Sequence, residues 1–326
     1  MFSTKRSLKY PSVMFIFIIF LITVNNVPAF SQQTKNVEKY VILLDQFAPN
    51  SVNPDSYTCN ANEFKQALSE VGWSDAHFSY LFGDNEITIA NLRNKIQNLQ
   101  ETVDENDVIL LYFAAHGYGC LKDILDLNSW FQEEFLAIPT QYKILLIDSC
   151  HAGEFIEPLE DYITTNQFYA MGSVAPNELA IAFVPDDQVG EWPYSEPAFL
   201  GIISSHFWSL SLTNSSADTN NDNIVSMEEL YDHSLPTIKK IYGEVFEQDP
   251  EIADIVLNTA GYLENYPRPV VINNLNENFS LYNSYLQTIP PLTVLTTAQK
   301  VGVIVGPIAG VIGITLVVII VLKRKK

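Results

Sequence analysis

The sequence predicts an α/β protein: a three-layer α/β/α sandwich with a mostly parallel central sheet, followed by a C-terminal transmembrane helix. Three observations lead there. Short, nearly unbroken apolar runs recur along the middle of the chain, as strands covered on both faces require. Stretches with helical spacing of apolar residues lie between those runs, and such alternation builds parallel βαβ units. A much longer apolar run, 301–322, ends in Lys-Arg-Lys-Lys and has the length to cross a bilayer.

Taken in order, KYVILLD (39–45) reads as the first buried strand. NEFKQALSEVGW (62–73) carries Phe64, Leu68 and Val71 on one helical face. HFSYLFG (77–83) is a second strand, and ITIANLRNKIQNLQ (87–100) a second amphipathic helix. DVILLYFAA (107–115) is a third strand. A helix around LNSWFQEEF precedes the strand KILLID (143–148). QFYAMGSV (167–174) follows as a strand, EPAFLGIISSHFWSL (196–210) as a buried helix, and RPVVIN (268–273) as the last strand.

The ends carry membrane addresses. Lys5, Arg6 and Lys9 precede the apolar run 13–24, and Ala29-Phe30-Ser31 offers small residues for cleavage, which is the layout of a secretory signal, 1–31. An uncleaved anchor would leave the middle of the chain on the same side. The domain is expected over 32–275, with a stalk at 276–300, the transmembrane helix at 301–322 and a cytoplasmic basic tail at 323–326. A basic tail stays inside, so the topology is single-pass type I with the domain extracellular. Gly302, Gly306 and Gly310 form a ridge of small residues through which copies could self-associate. Asn214-Ser215-Ser216 and Asn278-Phe279-Ser280 fit the N-glycosylation sequon.

A net charge of −20 argues against a nucleic-acid partner, because phosphate binding needs clustered Lys and Arg. It suits cationic substrates. Three cysteines make no disulfide framework; Cys59 and Cys120 could pair outside the cell, while Cys150 belongs to the chemistry. No organic cofactor is expected.

Two strands run into reactive residues. The third ends in His116-Gly117-Tyr118-Gly119, and the strand KILLID ends in Asp148-Ser149-Cys150-His151. Sites in open α/β sheets form beyond the carboxyl ends of strands. If these two strands are neighbours, about 4.8 Å apart, the imidazole of His116 and the thiol of Cys150 emerge together. A thiolate attacks a carbonyl and an imidazole handles the proton. Gly117 and Cys150 could supply N–H groups for an oxyanion hole, and a helix starting near Ala152-Gly153 would favour the sulfur anion. If the strand persists, Asp148 and Cys150 share a face, and Asp148 would receive Arg or Lys from a substrate. Ser149 points away. His151 is the rival base; strand alternation aims it away from the thiol.

YFAAHGYG followed by LLIDSCHAGEF resembles the caspase-like cysteine peptidases of the caspase/legumain clan, nearest to metacaspases and their prokaryotic relatives. The likeness extends from about residue 38 to 273, through ANEFKQALSEVGW, GDNEITIANL and YAMGSVAPNELAI. It implies that His116 and Cys150 are the catalytic dyad and that Asp148 lines a pocket for Arg or Lys. Relatives often carry Ser where Ala114 and Ala115 stand, so one pocket hydrogen bond is expected to be missing. Asp126 and Asp55 are both candidates for a second acidic pocket residue.

ADTNNDNIVSMEEL places Asp218, Asn220, Asp222, Ser226 and Glu229 at positions 1, 3, 5, 9 and 12 of an EF-hand-type loop (218–229), with the Ile224 carbonyl at position 7 and Val225 at the apolar position 8. Asn223 stands where Gly makes the sharp turn; Asn tolerates positive φ. All donors are oxygens, suited to Ca²⁺ held as a structural staple. Calcium-supported activity is also what the resemblance implies. The expected function is a cell-surface cysteine endopeptidase acting on proteins or peptides. A legumain-like peptidase or transamidase, and a catalytically silent surface-binding module of the same fold, are the alternatives.

Overall fold

The structure is a computed structural model. It describes residues 37–48, 50–52, 59–125, 130–164, 167–183, 201–248, 266–275 and 278–288, with single positions between 250 and 257. All belong to the unit Asn36–Lys326. The signal segment 1–31, the transmembrane run 301–322 with Gly302, Gly306 and Gly310, the tail 323–326, and the acidic candidates Asp55 and Asp126 lie outside the described residues. Among the described residues, no helix is long and apolar enough to cross a membrane.

The apolar runs form the expected sheet. β1 (Lys39–Asp45), β2 (His77–Phe82), β3 (Val108–Ala114), β4 (Tyr142–Asp148), β5 (Phe168–Gly172) and β8 (Val270–Asn273) lie in the order β2-β1-β3-β4-β5-β8. The first five are parallel, and β8 closes the edge antiparallel to β5. Every residue of β3 is buried because both faces are covered, and alternate side chains serve opposite cores. Leu110, Tyr112 and Ala114 join one core with Ile144 and Leu146 of β4; Ile109, Leu111 and Phe113 join the other with Leu145 and Ile147.

Helices Asn60–Glu70, Ile203–Thr213 and Met227–Gln248 cover the first face through Phe64, Leu68, Trp208, Leu212, Leu230 and Tyr242. Helices Ile89–Thr102 and Trp130–Ala137 cover the second through Leu92, Ile96, Phe131 and Phe135. Thr88 caps the former by accepting from the Asn91 N–H at 3.2 Å. The three layers of the expectation are therefore present.

Three details differ from the sequence reading. The helix expected from residue 196 begins at Ile203; Gly201–Ile202 is a short strand, β7, paired antiparallel with β6 (Ala182–Phe183), and 196–200 lies outside the described residues. Cys59 and Cys120 are free thiols belonging to the two opposite cores, so the sheet separates them. The boundary at 275 also falls within packed chain. Phe279, Leu281 and Leu286 are buried in the first core, the Asn283 N–H donates to the Val71 carbonyl at 2.9 Å, and the Tyr282 hydroxyl donates to the Leu212 carbonyl at 3.0 Å. The stretch is polar in composition, but among its described residues Phe279, Leu281 and Leu286 face inward.

Candidate active site

β3 and β4 are paired neighbours, with Ala114 opposite Asp148. The ladder continues one bond further, from the Ala115 N–H to the Asp148 carbonyl at 3.2 Å. His116 and Cys150 follow two residues on from the last register pair, on adjacent tips. The tips touch at Gly117. A Cβ there would stand 1.9 Å from the Cys150 carbonyl oxygen and 2.8 Å from its carbon, so only glycine allows this approach. The chain then turns back, with Gly119 at φ +76° and the Leu121 N–H on the His116 carbonyl at 3.0 Å.

His116 is exposed. Its backbone N–H donates to Oε1 of Gln46 at 2.9 Å, and Gln46 Nε2 donates in turn to Asp84 at 2.7 Å. The imidazole meets the Phe47 ring edge-on at 5.3 Å. Gln46 and Phe47 follow β1 directly, and sequence reasoning missed both. The parallel register of β1 on β3, with Asp45 opposite Ala114, is the signal that brings them here.

Cys150 sits in a turn rather than on the strand, which ends at Asp148. Asp148 and Cys150 therefore do not share the strand face expected from alternation. Ser149 is buried; its N–H donates to Ser173 Oγ at 3.3 Å and its hydroxyl to the Cys150 carbonyl at 3.1 Å. His151 takes φ +59°, the left-handed region that residues with a Cβ avoid. Its Nδ1 lies 2.7 Å from the Pro176 carbonyl; a carbonyl only accepts, so Nδ1 carries the proton. The ring also meets Tyr118 edge-on at 4.3 Å. The rival base is thus engaged elsewhere, through a turn and not through strand alternation.

The thiol is less activated than the sequence suggests. Burial is the main cause that raises its pKa, and Asp148 adds to it, while backbone hydrogen bonding at Ala180 and at Cys150 itself works the other way. Sγ donates to Ala180 O at 3.6 Å. The expected helix is a four-residue turn, Gly153–Ile156, too short to act as a dipole on the sulfur. Ionisation must therefore come from a base.

Asp148 is fully buried. Oδ2 accepts from the Ser205 N–H at 2.5 Å, while Oδ1 has no hydrogen-bond partner. Burial pushes the carboxyl up to about 6, opposed by the nearby Ser173 and Ser205 hydroxyls; neither reaches Oδ1 with hydrogen-bond geometry. The hydroxyls of Tyr112, Ser204 and Ser205 are likewise buried and unpartnered. Such oxygens cost on the order of 1–3 kcal/mol each until something donates to them.

A family model described as the caspase domain (Peptidase_C14) matches residues 41–233, more than half of the chain. The chain belongs to the caspase domain family. The solved structures similar to it include caspase-1 from Spodoptera frugiperda, at 10% identity and a TM-score of 0.41, covering 76% of this chain and 90% of that one. No curated protein sequence matches it.

Within this caspase domain the loop 218–229 is a turn held by its own side chains. Asn223 takes φ +68° at the position usually held by Gly, and Asn221 takes φ +62°. Asp218 accepts from the Asp222 and Asn223 N–H groups at 3.1 and 2.8 Å; Asn220 accepts from Asp222 at 2.8 Å, and Asp222 from Ile224 at 2.9 Å. Val225 is buried, and Ser226 bridges to Ser280. Glu229 instead accepts from Thr219, Asn220 and Ser226. Burial opposes ionisation of its carboxyl, but these bonds hold the pKa low. Among the described residues, no three His, Cys, Asp or Glu side chains are gathered as a cation cluster.

Proposed function

We propose that this caspase-domain chain is a cysteine endopeptidase with Cys150 as nucleophile and His116 as base, cleaving after Arg or Lys. The observation that carries the reading is the β3–β4 register, which sets the two tips side by side with Gly117 against the Cys150 backbone. His116 takes the thiol proton, and Sγ leaves the Ala180 carbonyl to attack the substrate carbonyl. The oxyanion faces the N–H groups of Gly117 and Cys150. His116 then protonates the leaving amine as the C–N bond breaks, giving a thioester. Water attacks that thioester, His116 taking its proton, and the acid product leaves as the thiol is restored.

The basic preference is supported by the orphan oxygens at Asp148. A guanidinium or ammonium donates to several acceptors at once, and it would meet the unpartnered Asp148 Oδ1. A cation there also offsets the burial that raises the Asp148 pKa. The donor set of the 218–229 loop fits Ca²⁺, a hard cation that takes oxygen ligands. Asp218, Asn220, Asp222, the Ile224 carbonyl, Ser226 and Glu229 would hold it, Glu229 first leaving its present partners. Its contribution would be to staple the loop. Placement at the cell surface rests on the apolar runs 13–24 and 301–322.

The test is cleavage profiling of the full-length chain and its Cys150→Ala variant on a peptide library, with calcium and with chelator. Cleavage after Arg and Lys, lost in the variant and supported by calcium, is expected. A preference for Asp or Asn overturns the role given to Asp148. Activity surviving Cys150→Ala overturns the nucleophile.

A further inference from the structure

The nucleophile loop is held by a strap whose anchor lies far away in sequence. Residues 149–153 are bound along the segment 173–180. The Ser149 N–H donates to Ser173 Oγ, Sγ of Cys150 to the Ala180 carbonyl, the His151 N–H to the Glu178 carbonyl at 2.8 Å, His151 Nδ1–H to the Pro176 carbonyl, and the Gly153 N–H to the Val174 carbonyl at 3.0 Å. A Cβ on Gly153 would stand 2.5 Å from Pro176 Cδ, so the two stretches are in close contact. The left-handed backbone of His151 survives only while those bonds over-determine it.

The strap is fixed at Glu178. Its carboxylate is fully buried. Oε2 accepts from the Ala175 N–H at 3.1 Å and from the Arg268 N–H at 2.8 Å, and Oε1 accepts from Arg268 Nε at 2.5 Å. Arg268 leads into β8, the antiparallel edge of the sheet. A buried carboxylate tolerates its surroundings only with its charge partner and hydrogen bonds in place. Removing the guanidinium therefore releases the carbonyl that holds His151.

We infer that Glu178 and Arg268 are positioning residues for the peptidase reaction: their ion pair fixes the strap that sets Cys150 at the rim beside His116. This deepens the peptidase reading, yet it has a readout of its own. Cys150 is the partly exposed thiol; Cys59 and Cys120 are buried, burial raising both their pKa values, that of Cys120 to about 12. Alkylation by iodoacetamide, mapped by mass, thus follows Cys150 whether or not the chain cleaves peptides.

The experiment compares full-length parent, Arg268→Met and Arg268→Lys, each well below its own melting temperature. For Arg268→Met the alkylation midpoint of Cys150 moves down in pH, toward that of a free thiol, as its burial loosens. Its kcat on an Arg peptide falls at least tenfold with KM within twofold, and Arg268→Lys recovers part of both. A lower melting temperature with unchanged alkylation profile and kcat overturns the inference, leaving the pair a structural prop. Should Arg268→Met fail to fold, Arg268→Lys decides alone: a shifted profile supports the inference and an unshifted one overturns it. A parent that cleaves no peptide overturns the peptidase reading, while the alkylation profiles still judge the strap.

Discussion

The two strand tips that meet at the rim are held very differently. The β4 tip is half-buried and bound residue by residue to the strap 173–180, which is anchored by the Glu178–Arg268 pair. The β3 tip is exposed, and His116 has one side-chain anchor, Gln46, through its backbone N–H. The contrast suits the proposed chemistry. A nucleophile has to stand in one place relative to the carbonyl it attacks, and a misplacement of about 1 Å can cost two orders of magnitude in rate. A base that takes a proton from sulfur and gives it to a leaving nitrogen serves two positions in turn, and an exposed ring with few restraints can do so.

The strongest way to break the comparison is to force the tips apart where they touch. Gly117→Ala puts a methyl 1.9 Å from the Cys150 carbonyl oxygen, a distance no backbone atom can yield without moving. The expected result is a kcat lower by about a hundredfold or more together with a lower melting temperature, measured by peptide turnover and thermal unfolding. Near-parental turnover would mean that the tips need not be in contact.

Asp148 gives the next effect, with opposite signs for activity and stability. Its folded pKa, about 6, lies above the ordinary aspartate value of 3.8. The free protein is therefore favoured by this group below about pH 4 and loses that contribution as pH rises through about 6. Asp148→Asn removes the buried charge and keeps an acceptor for the Ser205 N–H. At pH 7.5 the variant should melt higher by roughly 5 °C, from a difference on the order of 2–3 kcal/mol, with the gain vanishing near pH 4. Cleavage after Arg and Lys should be lost in the same variant. In the parent, KM for those substrates should rise as pH falls below about 6. Equal melting shifts at both pH values would show that the carboxyl is not the strained group.

What was legible in the sequence divides along the same line. The unbroken runs VILLYF and KILLI specify strands covered on both faces, and alternation with amphipathic helices specifies parallel order; together these placed His116 beside Cys150. The strap was not legible, because Glu178 and Arg268 are 90 residues apart and neither belongs to a local pattern. The state of the thiol was misread for a related reason. Sequence showed small residues and a helix start after Cys150, but burial is a property of the folded environment, and it outweighs a four-residue turn. Likewise, Phe279, Leu281 and Leu286 are sparse in a polar stretch, and only their tertiary partners reveal that the chain there is packed. The loop 218–229 was readable because its backbone is dictated locally, down to the positive φ of Asn223.

The smallest effect sharpens the comparison from the other side. Gln46→Met keeps the side-chain length and removes the acceptor for the His116 N–H. That hydrogen bond is exposed, so water replaces it, and the loss is that of an ordinary solvated hydrogen bond, about 0.5–1.5 kcal/mol. The expected change is a fall in kcat of roughly two- to twelvefold, what that energy allows, with KM and melting temperature near parental values. If the base tip works because it is loosely held, weakening its hydrogen bond to Gln46 costs little. A fall of a hundredfold or more would show that His116 needs the same rigid seating as Cys150, and that the asymmetry between the tips carries no mechanistic meaning.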